Sequence, residues 1–290
     1  MDIQKYQAFL RAVELGSFSA AAEEMGYTPS GVSHMADAIE NETDMVLLRR
    51  GRSGVTLTAA GEALLPSIRE LVRANAGLQQ RVEELRGISS GKVTIGAYSS
   101  IAAQWLPPVL QAFRQDFPKV EIQLLEGVHQ ELDDWLANYQ VDFCLYSDQK
   151  NQSYQWIPLR QDQMLVVLPP DHPLAGLSAI QPKACNGQPF IMPARGRDCD
   201  VVQLLEEDGI RPDIQFSTIE NYAALSMIEC GLGISIMNEL ITKGRTNHVA
   251  MLPFDPPRYI TLGIAVPSLE SASPAARKMI EYICKHLASG

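Results

Sequence analysis

The chain of 290 residues is long for a single domain, so two or three domains are expected. A hydrophobic content of 46% and a charged content of 20% are typical of a globular protein, and no apolar run reaches the roughly 18 residues of a membrane helix. The net charge of −10, with 9 Lys and Arg against 12 Asp and Glu over residues 1–90, excludes a broadly basic protein but not a local basic patch.

The first 39 residues predict three helices. Apolar side chains recur at spacings of three and four over residues 2–15, which indicates one amphipathic helix. The stretch GSFSAAAEEMGYTPSGVSHMADAI, residues 16–39, then predicts two short helices joined by a tight turn. Ala22 is small enough to be crossed by the second helix, Gly26 accepts a positive φ in the turn, and Val32 anchors the second helix inward. This spacing is typical of a helix-turn-helix, although a plain helical hairpin would share it.

The second helix of this motif has a polar outer face. Thr28 is expected to cap the helix and Pro29 to be its first residue. Short polar side chains that can approach base edges and phosphates then face outward: Ser30, Ser33, His34 and Asp37.

A short apolar run over residues 45–48 precedes the sequence RRGRSGVTL, which predicts a β-hairpin around a Gly/Ser turn. Arg49, Arg50 and Arg52 supply three cations in four residues without an intervening acid. Guanidinium groups on such a wing can lie along phosphates or enter a minor groove, whereas the alternative is a solvated loop.

A long helix is predicted from Thr58, as its cap, to about Arg86. A heptad seam runs along it, with alternating steps of four and three residues, and its members are Leu64, Ile68, Leu71, Asn75, Leu78, Val82 and Leu85. We expect this seam to pair two copies of the chain, with Asn75 setting the register; packing on its own domain is the alternative.

Residues 87–91, GISSG, form the expected hinge, and beyond them strands and helices alternate. The expected order is a strand at 92–97, a helix capped by Ser99 and Ser100 and continuing to about 116, a strand at 120–125, a helix at 131–139 and a strand at 141–146. This order predicts a mainly parallel sheet, with ligands beyond the carboxyl ends of its strands.

A second α/β unit is expected from about residue 156. Its predicted strands cover residues 164–168, 188–192, 214–217 and 234–237, its helices cover 201–209 and 220–230, and a strand at 259–266 returns toward the first unit before a last amphipathic helix. Two such units joined by crossing chains predict a cleft with a hinge at its base.

The chain resembles the LysR-type transcriptional regulators. The resemblance is carried by GSFSAA at residues 16–21, the helix at 28–39, the basic wing, LTAAG at 57–61, and further matches in family order up to GLGI at 231–234. It covers essentially the whole chain. The family usually has Gln where Pro29 stands, Gly near Asp44 and Phe where Leu48 stands, so the operator sequence is expected to differ.

The resemblance implies a multi-domain chain that combines all-α and α/β parts. An all-α winged helix-turn-helix domain is expected at 1–58, a dimerising linker helix at 59–87, and at 88–290 an α/β effector domain like a periplasmic binding protein, with subdomain I at about 91–160 and 266–290 and subdomain II at about 161–265. The implied DNA-binding residues are Ser17, Thr28, Pro29, Ser30, Ser33, His34, Arg50 and Arg52, and the implied effector contacts are Ser99, Ser100, Tyr146, Arg195 and Thr218.

The effector is expected to be a small molecule, and a carboxylate is the first hypothesis. Helix starts attract anions, and Arg195 and Arg197 could pair with them; the alternative is that Ser99 only caps its helix and Arg195 is a surface charge. Peroxide-sensing relatives pair two cysteines in this subdomain, but Cys199 has no cysteine close in sequence.

Other classes of protein lack sequence support. No G-x-S-x-G, phosphate loop, C-x-x-C pair or metal-ligand spacing occurs, so neither an enzyme nor a cofactor or metal site is expected. No secretory signal is visible, which disfavours an exported solute-binding protein. We therefore expect a cytoplasmic regulator whose partners are double-stranded DNA, a small molecule and a second copy of itself in a homodimer, and no membrane. The resemblance implies that these chains form a homotetramer.

Overall fold

The computed structural model describes six stretches of the chain, residues 2–51, 54–85, 90–148, 154–196, 199–244 and 246–288. Within these stretches, no helix combines the length and apolar character needed to cross a bilayer. Three parts follow one another: a helical N-terminal domain, one long helix and an α/β domain.

The N-terminal domain contains three helices and a β-hairpin, with the bounds α1 (Ile3–Leu15), α2 (Phe18–Met25), α3 (Pro29–Thr43), β1 (Leu48–Gly51) and β2 (Gly54–Leu57). Gly26 ends α2 with a left-handed φ of 71°, as the turn requires. Thr28 caps α3 through a hydrogen bond from the Gly31 N–H to its hydroxyl (3.1 Å), and Pro29 is the first helical residue. These features confirm the predicted helix-turn-helix.

The three helices pack closely because their inner faces are small. The side chains at their crossing points are buried to 1% exposure or less: Ala8, Ala12, Ala21, Ala22 and Val32. A second cluster of larger side chains joins α1 and α3 to the hairpin, and it includes Phe9, Ile39, Leu47 and Leu48. The outer face of α3 is thereby left to solvent.

One helix of 27 residues, α4 (Ala59–Leu85), follows the hairpin. The Thr58 hydroxyl accepts a hydrogen bond from the Gly61 N–H (3.0 Å), which confirms the predicted cap. Gly61 is needed because a Cβ atom at this position would collide with the Leu47 carbonyl oxygen. This close approach fixes the start of α4 against Leu47, the residue just before β1.

The α/β domain is built on nine further helical segments and eight strands in the described residues. The strands are β3 (Ser90–Ala97), β4 (Lys119–Glu126), β5 (Phe143–Ser147), β6 (Gln155–Leu168), β7 (Pro189–Met192), β8 (Asp213–Ser217), β9 (Ser235–Asn238) and β10 (Ala250–Val266). The α-helices are α5 (Ser99–Gln104), α6 (Leu106–Asp116), α7 (His129–Ala137), α8 (Cys199–Glu207), α9 (Asn221–Glu229), α10 (Glu239–Thr242) and α11 (Pro274–Ala288). The 3₁₀ segments are Pro182–Cys185 and Pro193–Gly196.

Six strands form one sheet in the order β4-β3-β5-β10-β6-β9, and β7 and β8 form a separate parallel pair. Two long antiparallel strands, β6 and β10, pass from one subdomain to the other. One end of β10 pairs with β5 in subdomain I, and the far end of β6 pairs with β9 in subdomain II. Each subdomain has its own apolar cluster, so β6 and β10 connect two separate cores across a cleft.

Two predictions for this domain are wrong. The sheet is mixed rather than mainly parallel: β4, β3 and β5 are parallel, but β10 returns from subdomain II and pairs antiparallel with β5 and β6. The predicted single helix over residues 99–116 is divided at Trp105, because Pro107 and Pro108 cannot donate the N–H groups that would continue α5.

Candidate DNA-binding surface and effector cavity

The outer face of α3 is polar and accessible. Pro29 and Ser30 are exposed, and the His34 side chain is 84% exposed, while Val32 and Ala36 on the opposite face are buried. A helix held by its inner face in this way fits the dimensions of a DNA major groove.

Ser17 and Thr28 have a structural role in this motif. The Ser17 hydroxyl accepts a hydrogen bond from the Ala20 N–H (3.3 Å), and the Thr28 hydroxyl accepts one from the Gly31 N–H. Both residues therefore cap helices of the motif, and their contact with DNA stays a prediction.

Arg50 points toward α3 instead of away from the protein. Its guanidinium donates hydrogen bonds to Ser33 Oγ (3.0 Å), Glu40 Oε2 (2.9 Å) and the Asp37 carboxylate. Its central carbon also lies 5.2 Å from the centre of the Phe18 ring. Two carboxylates therefore neutralise Arg50 in this conformation, and its predicted contact with DNA stays a prediction. Arg52 lies outside the described residues.

The seam of α4 is divided between two environments. Leu64, Ile68 and Leu71 pack against the core of their own N-terminal domain, with Ile68 buried. Leu78 and Val82, in contrast, are 63% and 39% exposed. The first three residues are thus used in packing inside the chain, and the predicted dimerisation role of the whole seam stays a prediction.

Asn75 stands between these two halves. Its side-chain nitrogen is buried and has no hydrogen-bond partner among the described residues. A buried amide without a partner is costly, so a partner from outside the chain is expected at this position.

A cavity of about 190 Å³ lies between the two subdomains. Its walls come from the residues that follow the carboxyl ends of β3, β4, β7 and β8, together with the end of β9, α8 and α10. The described lining residues are Tyr98, Ser99, Ser100, Glu126, Gly127, Val128, His129, Glu131, Ala194, Asp200, Ile219, Glu220, Asn221, Asn238 and Ile241. This location agrees with the rule that ligands bind beyond the carboxyl ends of strands.

The five predicted effector contacts do not all meet at the cavity. Ser99 and Ser100 line it, although Tyr98 precedes the helix and neither serine is its cap. Tyr146 is fully buried behind His129, and its hydroxyl donates to Asp133 (2.7 Å), so its predicted contact with the effector is wrong. Arg195 is exposed and Thr218 is half-buried, and neither belongs to the described lining.

Arg195 and Thr218 are nevertheless neighbours of the cavity. The Arg195 N–H donates to the Thr218 carbonyl oxygen (3.2 Å). Ala194, which lines the cavity, and Arg195 both have positive φ, 48° and 52°. Non-glycine residues in this region store backbone strain, which commonly accompanies a functional loop. Arg197 lies outside the described residues, as does the side chain of Cys199.

A hydrogen-bonded network of aromatic and polar side chains forms one wall of the cavity. The Tyr98 hydroxyl lies 3.3 Å from His129 Nδ1 and 3.0 Å from Ser147 Oγ, and His129 Nε2 lies 3.2 Å from the Asp133 carboxylate. The Tyr98 hydroxyl and the Asp133 carboxylate thus both lie within hydrogen-bond reach of the His129 imidazole. Burial acts to raise the pKa of Asp133, but the hydrogen bonds from His129 and Tyr146 outweigh it and lower that pKa below its usual value.

Several lining residues were missed by the sequence analysis, notably Tyr98, Glu126, His129 and Asn238. The signal that could have found them was the position of three of these residues at or just beyond the carboxyl ends of β3, β4 and β9. Among the described residues, no group of three His, Cys, Asp or Glu side chains is arranged to hold a metal ion.

Comparison with known proteins matches both parts of the chain. A family model described as the bacterial regulatory helix-turn-helix protein of the lysR family matches residues 3–62, and one described as the LysR substrate binding domain matches residues 86–288. The chain belongs to the LysR family of transcriptional regulators. The regulator is therefore a DNA-binding protein with an effector-binding domain, as the resemblance implied.

Individual relatives agree with this assignment over the full length. The LysR-family chain is 33% identical to the uncharacterized HTH-type transcriptional regulator YvbU of Bacillus subtilis, over 97% of each chain. Full-length OxyR of Pseudomonas aeruginosa has the same fold, with a TM-score of 0.78, 19% identity and coverage of 99% and 97% of the two chains. The effector-binding domain of QuiR, solved in complex with shikimate, matches with a TM-score of 0.63 and 21% identity, over 69% of this chain and 99% of QuiR.

Proposed function

We propose that α3 is the recognition helix of this LysR-family regulator and that a small molecule in the cleft cavity controls its use. The exposed polar face of α3, with its inner face buried and both ends of the turn capped, is the observation that carries the proposal. Pro29, Ser30 and His34 contact base edges, and Ser17 and Thr28 contact phosphates at the helix starts.

Effector binding changes how the copies of the regulator are arranged relative to one another. The exposed second half of the α4 seam pairs two chains, and a further apolar surface on β8 and the loop beyond it, with Ile214, Phe216 and Ile219 exposed, joins pairs into a tetramer. A ligand that draws the two subdomains together changes how the DNA-binding domains are spaced. The chain works by binding, without catalysing a reaction, and in the cytoplasm, where its DNA lies.

A gel-shift experiment tests the proposal. The full-length protein is titrated against its own upstream intergenic DNA in the presence of unlabelled random DNA, and His34→Ala is compared with wild type. We expect specific retention by the wild type and roughly a ten-fold weaker specific complex for His34→Ala, since one base contact is lost.

His248→Ala is the matched control, because His248 is an exposed histidine of the effector domain. It should bind as the wild type does. Equal loss in both variants, or an unchanged complex with His34→Ala, would contradict the assignment of α3.

A further inference from the structure

The wing, formed by β1 and β2, has two faces in different environments. Its antiparallel register pairs Arg50 with Val55 and Arg49 with Thr56. Side chains of directly opposite residues lie on the same face of a hairpin, and successive residues of a strand alternate between the faces. Val55 is buried in the N-terminal core, whereas Arg49 and Thr56 are exposed. Arg50 therefore belongs to the inner face of the wing and Arg49 to its outer face.

The arginine of the inner face is used within the N-terminal domain. Arg50 donates to Ser33, Asp37 and Glu40, three residues of α3, so two carboxylates offset its charge. These contacts also hold the wing beside α3, since Ser33 and Asp37 are four positions apart and lie on one face of that helix. A phosphate could bind Arg50 only by replacing contacts that the domain already makes.

The two side chains of the outer face have no such contacts. Within the described part of the chain, nothing forms an ion pair or a hydrogen bond with the Arg49 guanidinium or the Thr56 hydroxyl. One fixed positive charge and one hydroxyl donor therefore stand side by side on adjacent strands, open to solvent. The resemblance implied Arg50 and Arg52 as DNA contacts and gave no role to Arg49.

The wing is also fixed against the turn between α1 and α2. The Val55 N–H donates to the Gly16 carbonyl oxygen (2.8 Å). Gly54 has a φ of 103°, and a Cβ atom on it would lie 2.3 Å from the same oxygen, so the strand can approach this closely only with glycine there. Contacts to this turn and to α3 thus set the orientation of the wing, and with it the side to which the outer face is turned.

The position of the outer face beside α3 identifies its ligand. We propose that this face binds one phosphate of the DNA backbone, with the Arg49 guanidinium as the charged donor and the Thr56 hydroxyl as a second donor. The forked donors of arginine match the geometry of a phosphate, and a phosphate strand borders any groove that α3 enters. Arg50 is then a positioning residue, which holds the wing in place and offsets carboxylates that would repel the same strand. This inference rests on the proposed function, which seats DNA on α3.

The test measures the binding of the full-length protein to random duplex DNA by fluorescence anisotropy over a range of salt concentrations. Arg49→Gln should weaken binding, and the slope of log K against log salt should become shallower by about 0.9 for each DNA-binding domain engaged, because one phosphate contact is lost. The advantage of the wild type should accordingly shrink by about 3.5-fold per domain as the salt rises from about 50 mM to about 200 mM. The circular dichroism should not change, since the substitution removes no side-chain contact within the described residues.

Further variants separate the contribution of charge from that of shape. Arg49→Lys keeps the charge and loses the fork, so it should bind more weakly with the slope of the wild type. Thr56→Val removes the hydroxyl and keeps the branched side chain, so it should weaken binding several-fold without a change of slope. Arg114→Gln is the matched control, because it removes the same charge from an exposed position on α6 in the effector domain, and it should bind as the wild type does.

Three outcomes overturn the inference: a slope that Arg49→Gln leaves unchanged, the same fall of the slope in Arg114→Gln, or a loss confined to the upstream intergenic DNA. The last would mean that Arg49 reads a base, since a phosphate contact carries no sequence information. Specific retention of the upstream DNA with an unchanged slope would disprove the phosphate site and leave the proposed function intact. A shallower slope in a protein that retains no specific DNA would disprove the proposed function alone.

Discussion

At the scale of single residues, helix α3 is held in place by charged contacts as well as by apolar packing. Through Oε1, Glu40 accepts the N–H groups of Leu47 (2.7 Å) and Leu48 (2.9 Å), and through Oε2 it accepts Arg50. Glu40 is therefore part of the framework that joins α3 to the wing. Asp37, which also binds Arg50, makes no such backbone bond in the described residues and remains 39% exposed.

A DNA phosphate that binds Arg50 would have to displace the Asp37 carboxylate from it. We predict that Asp37→Asn makes Arg50 available to DNA. The expected result is a several-fold rise in affinity for random DNA at low salt. The slope of log K against log salt should become steeper by about 0.9, the value for one additional phosphate contact.

Binding of random DNA, followed by fluorescence anisotropy over a range of salt concentrations, measures this slope. Asp171→Asn is the control, since Asp171 is an exposed aspartate in the effector domain. It removes the same charge from the molecule and should leave the slope unchanged. An identical slope for wild type and Asp37→Asn would mean that Arg50 takes no part in phosphate binding.

At the scale of elements, the two halves of α4 have different roles. Its first half closes the N-terminal core through Ile68 and its neighbours, and its second half exposes Leu78 and Val82. These two residues are four positions apart and so lie on one face of the helix. Together with the unpaired nitrogen of Asn75, they form a surface suited to an identical helix from a second copy.

We predict that Leu78→Glu with Val82→Glu separates the chains. Two carboxylates would replace apolar contacts with like-charge repulsion in a symmetric interface, so the sedimenting species should have half the mass of the wild type or less. Analytical ultracentrifugation measures the change.

Gln79→Glu adds negative charge at an exposed position of the same helix turn and should retain the wild-type mass. An unchanged mass in the double variant would show that the second half of α4 is not the interface.

At the scale of the whole molecule, α7 connects the cavity to the linker helix. His129 and Glu131 in its first turn line the cavity. Beyond its other end, Arg73 of α4 donates to the Asp142 carboxylate (3.2 Å) and carbonyl oxygen (3.0 Å), and the Thr94 N–H binds the same carboxylate (2.7 Å). A displacement of α7 on ligand binding would therefore be transmitted to α4 through this junction.

We predict that Arg73→Ala weakens the junction and lowers the free energy of unfolding by about 3 kcal/mol, the lower end of the range for breaking a buried ion pair. Burial raises the pKa of Asp142, while the charge of Arg73 and the Thr94 N–H oppose that rise. Because Arg73 favours the ionised carboxylate, its contribution is present above the pKa of Asp142 and is lost as the pH falls through that value.

Urea unfolding at neutral and acidic pH measures this effect. Arg81→Ala, an exposed arginine of the same helix, should cost little at either pH. A loss for Arg73→Ala that is the same at both pH values would show that packing against Tyr139, whose ring centre lies 5.7 Å from the guanidinium, outweighs the ion pair.

The sequence by itself determined the local features of this protein. The helix-turn-helix, its caps at Ser17 and Thr28, the turn at Gly26 and the start of α4 at Thr58 follow from φ preferences, capping and periodicity, which act over a few neighbouring residues. The order of strands and helices was predicted on the same basis, whereas the family was predicted from the resemblance of the motifs.

Only the tertiary structure decided where distant residues meet. The pairing of Arg50 with α3, the burial of Tyr146, the division of the α4 seam and the antiparallel return of β10 all depend on contacts between segments far apart in the chain. The lining of the cavity is of the same kind, because its residues come from elements and loops of both subdomains. Local preferences carry no information about which distant residues come into contact, since each lining residue alone is compatible with an ordinary solvated surface.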